Sequence, residues 1–449
     1  MNRAVDWKEG APFLFIRRFL MHKHLEIGFG QIRLPLPGGV LLAGYGAVRP
    51  LSKVHDPLYV QCVALRHGAE IHALFVYDLL AVDSLIIDQA EKLIRRQHPH
   101  AGVLLFSAIH THSAPAGVLQ TDHGLLEAAR FFAGKADPSL AGQMAKCALE
   151  AFEEALDDCG DFSSWQSYSH TGRFASLRTQ EKAEYLSDFY TIEIEKSNAR
   201  DLIVLMSNHP TVLDASNTEA SADLVWGMRS CLQEAGYDQV VVLNGPCGDL
   251  STRYTRKGAQ FEEARRIGKI GAFAVLDGLC HRKPLEFDCS APVVQTEFIL
   301  KADQPQPVEQ IEEQMKDVKH QLNAVAADPM ANPLILRAVR NELEACQAAL
   351  AKSKSLAGVE SVTVPSTIWK WSDQVFVTIP GELFSSLIHE DGLENVHFLC
   401  YTNGYILYLP DREACQRKIY EAMASPLAPG ESERLLSIIL SSIESMQSK

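Results

Sequence analysis

At 449 residues, 47% hydrophobic and 22% charged, the chain is too long and too apolar to be disordered and too mixed to be fibrous. The formal net charge of −14, from 42 Lys and Arg against 56 Asp and Glu, argues against a nucleic-acid or anionic-membrane partner, because both call for a basic surface. Ten cysteines without CxxC spacing argue against a disulfide framework or a Cys-rich zinc finger, and no apolar run approaches the roughly 18 to 20 residues of a membrane span.

Residues 1–24 read as an irregular leader: Arg17 and Arg18 interrupt its apolar patch and no small-residue cleavage site follows. A cytoplasmic protein is therefore expected, and Cys62, Cys231 and Cys400, in or beside apolar runs, suit a reducing compartment. Strand patterns follow at 25–29, 59–66 and 71–77, broken by the Pro and Gly cluster at 35–39. Helical spacing of Ile86, Ile87, Ala90, Leu93 and Ile94 predicts a helix over 83–97, and 103–109 reads as a buried strand, which makes a βαβ unit. Helices at 139–156, 220–235 and 262–279 alternate with strands at 190–194, 202–206 and 240–243. The Glu-, Lys-, Gln- and Ala-rich stretch 308–352, broken around 328–333, predicts two antiparallel helices, an inserted hairpin spanning 305–355. Strands at 361–365, 374–379 and 396–400 and a helix at 435–446 complete one large mixed α/β domain over 25–449.

Chemistry-bearing residues gather where these strands end. Ser107-Ala-Ile-His110-Thr-His112-Ser closes an apolar run, and on an extended backbone two side chains separated by one residue share a face. Taken alone, such a pair suits hydrogen-bonded histidines as well as a metal. His209, before Pro210, ends the next strand; Asn244-Gly-Pro-Cys-Gly-Asp249-Leu-Ser251 follows another and offers backbone N–H groups and Ser251 to a ligand, or serves as an ordinary turn with Asp249 as a cap. That loop lacks a Walker lysine and a GxSxG elbow, which disfavours a nucleotide site or an α/β-hydrolase. Glu382 follows Pro380-Gly381, and Tyr405 and Tyr408 follow the run 396–400. Open α/β sheets bind ligands beyond their strand carboxyl ends, so this recurrence predicts a strand-end active site. Histidines, a carboxylate and a phenol suit zinc.

In order along the chain, Ala43-Gly-Tyr-Gly46, His55-Asp-Pro-Leu58, His110-Thr-His-Ser-Ala-Pro115, His209-Pro210, Ser221-Ala-Asp223, the loop Asn244 to Ser251, Pro380-Gly-Glu382, Asn403-Gly-Tyr405 and Tyr420-Glu421 resemble the neutral, or alkaline non-lysosomal, ceramidase family. The resemblance implies a Zn2+ ion held by His110, His209, Glu382 and Tyr405, with hydrolysis of a linear amide by a water that the ion acidifies. It implies catalytic roles for His112, Ser251 and Arg178, with Arg173 the competing arginine, and substrate contacts from Asn244, Gly245, Asp249 and Tyr408. The sequence departs from the family pattern at Cys415, which stands where a substrate-contacting phenol is expected. Only the family's catalytic domain is expected here. A lipid amide and a smaller, more polar amide are both open as substrate, as is a ligand-binding or sensing protein on the same fold; a homo-oligomer is compatible with the sequence.

Overall fold

The computed structural model describes residues 15–17, 25–120, 129–179, 185–287, 293–328, 330, 332–388, 393 and 395–447. In chain order its main elements are β1 (Leu25–Arg33), β2 (Tyr59–His67), β3 (Glu70–Tyr77), α1 (Ser84–Gln97), β4 (Ala101–Ala108), α2 (Pro138–Asp157), β5 (Ser163–Thr171), β6 (Ser187–Glu195), β7 (Arg200–Met206), α3 (Leu224–Glu234), β8 (Val240–Asn244), α4 (Phe261–Leu279), β9 (Val293–Lys301), α5 (Val308–Ala327), α6 (Pro333–Ser355), β10 (Ser361–Trp371), β11 (Gln374–Thr378), β12 (Val396–Leu399) and α7 (Glu431–Gln447). This is the mixed α/β architecture that the alternating periodicities predict.

Three sheets carry the fold: β1-β2-β3-β4, then β8-β7-β6-β5 with Lys283–Pro284 at its edge, then β9-β10-β11-β12 with Phe15–Arg17 at its edge. Each contains one parallel pair among antiparallel neighbours: β3 with β4, β7 with β8, and β11 with β12. Parallel pairs need a crossover, and α1 and α3 supply the first two. The crossovers start cleanly, because Asp83 accepts the Leu85 N–H at 3.0 Å at the head of α1 and Asp223 accepts the Leu224 N–H at 2.6 Å at the head of α3.

The carboxyl ends of the three parallel pairs are stitched to one another. Cys400 N–H donates to Asn244 O at 3.0 Å, Asn403 N–H to Phe106 O at 2.7 Å, and Ala108 N–H to Tyr401 O at 3.1 Å. Asn244, fully buried, bonds through Nδ2 to Ile109 O at 3.2 Å and Asn208 O at 2.9 Å. The end of β12 thus lies between those of β4 and β8, and the residues beyond all three meet.

Several boundaries differ from expectation for local reasons. The helix read over 220–235 begins at Leu224, because Ala220 pairs with Val54 and Asp223 is the cap. The sequence reading named neither β5, whose SSWQSYSHT is mostly polar, nor β9, whose VVQTEFILK alternates in burial but not in residue type. Of the leader, Phe15–Arg17 pairs antiparallel with Val293, Val294 and Gln295, and the rest of 1–24 lies outside the described residues. Helices α5 and α6 occupy the place of the expected hairpin. Among the described residues no helix is long and apolar enough to cross a membrane.

Candidate metal centre

His110 stands two residues past β4 with φ of 68°, a left-handed turn rather than the extended backbone the alternation argument assumed. The turn still brings the pair together: His110 Nε2 is 3.3 Å from His112 Nε2. His209 arrives from the end of β7, with its Nε2 3.2 Å from His110 Nε2. Glu382, just past β11, places Oε2 3.0 Å from His209 Nε2 and 3.5 Å from His110 Nε2. His110, His209 and Glu382 are fully buried, while His112 is partly exposed.

Backbone carbonyls fix the orientation of two rings. His110 Nδ1 lies 2.8 Å from Leu80 O and His209 Nδ1 lies 2.8 Å from Cys247 O. A carbonyl only accepts, so each Nδ1 carries the proton and each Nε2 presents a lone pair. Burial, opposed by Glu382, drives the His110 imidazole down to about 3. Burial first, then Arg178, holds His209 well below the ordinary range, and burial, then His110, does the same for His112. All three rings are neutral at pH 7.

Glu382 Oε2 is buried without a hydrogen-bond donor, and Oε1 takes the Tyr405 hydroxyl at 2.6 Å. Two imidazole lone pairs therefore converge on one buried carboxylate oxygen. That arrangement is repulsive unless a cation fills it, so the residues fit a metal ion held by nitrogen and oxygen. Among the described residues, His110, His112 and His209 form the cluster able to hold one.

The surrounding backbone leaves little freedom. Gly248 N–H donates to Leu383 O at 2.9 Å, and a Cβ on Gly248 would lie 2.4 Å from Glu382 O. Gly44, with φ of 105°, packs against His112, where a Cβ would stand 2.6 Å from its ring. Behind it Arg49 binds the carbonyls of Ala43, His112, Asp214 and Asn217, and its guanidinium lies 4.7 Å from the Tyr45 ring centroid.

The remaining sequence-predicted residues divide into two groups. Arg178 belongs at the centre: its Nη1 donates to Glu421 Oε1 at 2.8 Å, Tyr408 OH at 3.2 Å and Gly248 O at 3.3 Å. Arg173 is exposed in a left-handed turn. Asn244 and Asp249 face the protein, since Asp249 accepts Ser385 N–H at 2.7 Å and Ser385 Oγ–H at 2.9 Å, fixing the chain just after Glu382. Gly245 N–H donates to Met206 O at 2.6 Å, and Ser251 Oγ accepts the Arg253 N–H at 3.2 Å. Cys415 is half-buried on the short helix Arg412–Arg417. Sequence reasoning missed Tyr401, whose ring stacks on His110 at 4.2 Å, and the bracing by Arg49, which acts on backbone carbonyls and so leaves no side-chain signature.

A structure described as neutral ceramidase from Pseudomonas aeruginosa matches 93% of this chain and 73% of its own, with a TM-score of 0.65 at 12% identity. One described as ceramidase complexed with C2 matches 94% and 75%, with a TM-score of 0.68 at 12% identity. This chain has the ceramidase fold. No protein-family model matches the chain, and no curated protein matches it in sequence. The ceramidase-like fold is the expected one, and it carries the histidine cluster at its strand ends.

Proposed function

We propose that the protein is a zinc-dependent amidohydrolase that cleaves a linear amide. The observation that carries this reading is the convergence of His110 Nε2, His209 Nε2 and Glu382 Oε2 in a buried cluster. His110, His209, Glu382 and Tyr405 would hold the ion. Zinc supplies there an acidified water and a Lewis acid for the amide carbonyl.

The chain's own residues do the rest. Tyr405, by donating to Oε1, turns Oε2 toward the histidines. The Leu80 and Cys247 carbonyls hold both ring protons on Nδ1, which keeps the Nε2 atoms available and more basic. His112, partly exposed and neutral, accepts a proton on one side of the reaction and delivers it to the leaving amine on the other. The fold shared with ceramidases supports amide hydrolysis as the reaction class.

Metal analysis of the purified protein tests the reading. One zinc per chain is expected in the wild type and none in His110→Ala or Glu382→Ala. A wild type that binds no stoichiometric zinc from a zinc-supplemented buffer overturns it.

A further inference from the structure

Arg178 sits beside the metal centre with only one end of its guanidinium committed. Its three acceptors, Glu421 Oε1, Tyr408 OH and Gly248 O, all take Nη1. Its Nε is buried and meets no acceptor among the described residues, although the side chain is only 12% exposed. A buried unmet donor is costly, more so for a charged group, and persists where something else comes to meet it. One of the three acceptors ties Arg178 to the centre, because Gly248 packs directly on the Glu382 backbone.

We infer that the Nε–Nη2 edge of Arg178 receives a carboxylate, so that the substrate is a carboxylate-bearing amide, either an N-acylated amino acid or the half-amide of a dicarboxylic acid; this rests on the amidohydrolase reading. The geometry of the fork decides between ligand chemistries. A guanidinium edge offers two parallel N–H groups at the spacing of two carboxylate oxygens, and the pairing is charge-assisted as well as bidentate. A hydroxyl or a single amide carbonyl satisfies one of the two. Glu421 and Tyr408 do not compete for that edge, since they lock Nη1 and so aim the other side of the plane. Arg253 braces the main chain there, its Nη1 donating to Arg178 O at 3.2 Å. A site built around a buried charged donor rejects analogues that leave it unpaired.

Calorimetry on the zinc-loaded protein with N-octanoylglycine and its neutral isostere N-octanoylglycinamide tests the assignment. The carboxylate is expected to bind at least about tenfold more tightly, with the ratio collapsing toward one in Arg178→Gln and falling in Arg178→Lys, which keeps the charge but not the planar fork. Zinc content of each variant reports whether its centre is intact. Equal binding of the two ligands by the wild type, or an undiminished ratio in zinc-replete Arg178→Gln, overturns the inference. Turnover of N-octanoylglycine against succinic acid mono-octylamide tells which side of the scissile bond carries the carboxylate. Faster cleavage of the glycinamide than of both acids sinks the carboxylate assignment while leaving amide hydrolysis standing. If no amide is cleaved and no zinc is bound, the proposed function falls, and the ratio of the two ligand affinities measured on the metal-free protein still judges Arg178.

Discussion

The strand-end centre and the α5–α6 hairpin are built on opposite principles. At the centre, His110, Asp223, Tyr401, Asn403 and Leu407 all adopt positive φ without being glycine, and they are five of the eight such residues described. Each strained conformation costs on the order of 1 to 3 kcal/mol and persists only where neighbours over-determine it. Here the neighbours are backbone amides and carbonyls of the three sheets. The hairpin has no such constraint: α5 buries only Ile311 and Val318 and presents charge elsewhere. The contrast locates function, because strain is kept where geometry has to be held and is absent where a surface needs only to be covered.

The largest effect should come from the centre itself. Glu382→Ala removes the carboxylate and leaves His110 and His209 facing each other with one donor fewer. Zinc affinity is expected to fall by more than about a hundredfold, beyond what loss of a supporting contact costs, with turnover lost in parallel. Equilibrium competition with a chelating dye measures it, and wild-type affinity in the variant would remove Glu382 from the ligand set. Next comes Gly248→Ala, whose new Cβ would sit 2.4 Å from Glu382 O, a backbone atom with no easy way to yield. Destabilisation of about 1 to 3 kcal/mol is expected in urea unfolding, together with a roughly ten- to hundredfold loss of zinc affinity. A variant as stable and as zinc-avid as wild type would mean that this contact does not place Glu382.

A smaller effect is expected one layer further out. Arg49 spans the carbonyls of His112 and Asn217, thereby joining the His112 turn to the loop that follows His209. Lysine cannot bridge them, so in Arg49→Lys the His112 ring should lose its registration while His110, His209 and Glu382 keep theirs. The expected signature is a fall in kcat of roughly ten- to a hundredfold with zinc content and KM little changed. An altered KM at unchanged kcat would assign Arg49 to substrate binding instead.

How far these layers were legible follows from what each is made of. Polar residues that interrupt apolar runs stand out, so His110, His209 and Glu382 could be picked from the chain at the ends of strands. The reason they converge could not: alternation along a strand would have served His110 and His112 equally, yet the strand stops at Ala108 and a left-handed residue makes the turn. The orienting partners were invisible, because Leu80 O and Cys247 O are main-chain atoms that any residue type could supply. Asn244 and Asp249 show the converse. In sequence their side chains suit a ligand or a turn equally, and in the fold they bond the backbone of adjoining loops. Strand β5 shows the same limit in the scaffold, where a polar sequence takes its place by pairing with β6 over its whole length.

The smallest effect on the centre should follow the largest change in the chain. Lys301 at the end of β9 is paired with Ser361 at the start of β10, so the hairpin leaves and re-enters the sheet at adjacent positions. A short Gly- and Asn-containing turn could close the same two strands. Excision of residues 303–359 is therefore expected to leave β9 and β10 paired and the zinc stoichiometry at one per chain. The excision removes the bond from Asp303 N–H to Pro426 O, at 2.8 Å, and uncovers the short helix Tyr420–Ala424, against which α6 packs. Because Glu421 on that helix anchors Arg178, the shortened protein should keep its metal yet bind N-octanoylglycine more weakly. Loss of zinc along with the hairpin would show that the strand ends do not hold the centre by themselves, and the contrast between the two regions would fail.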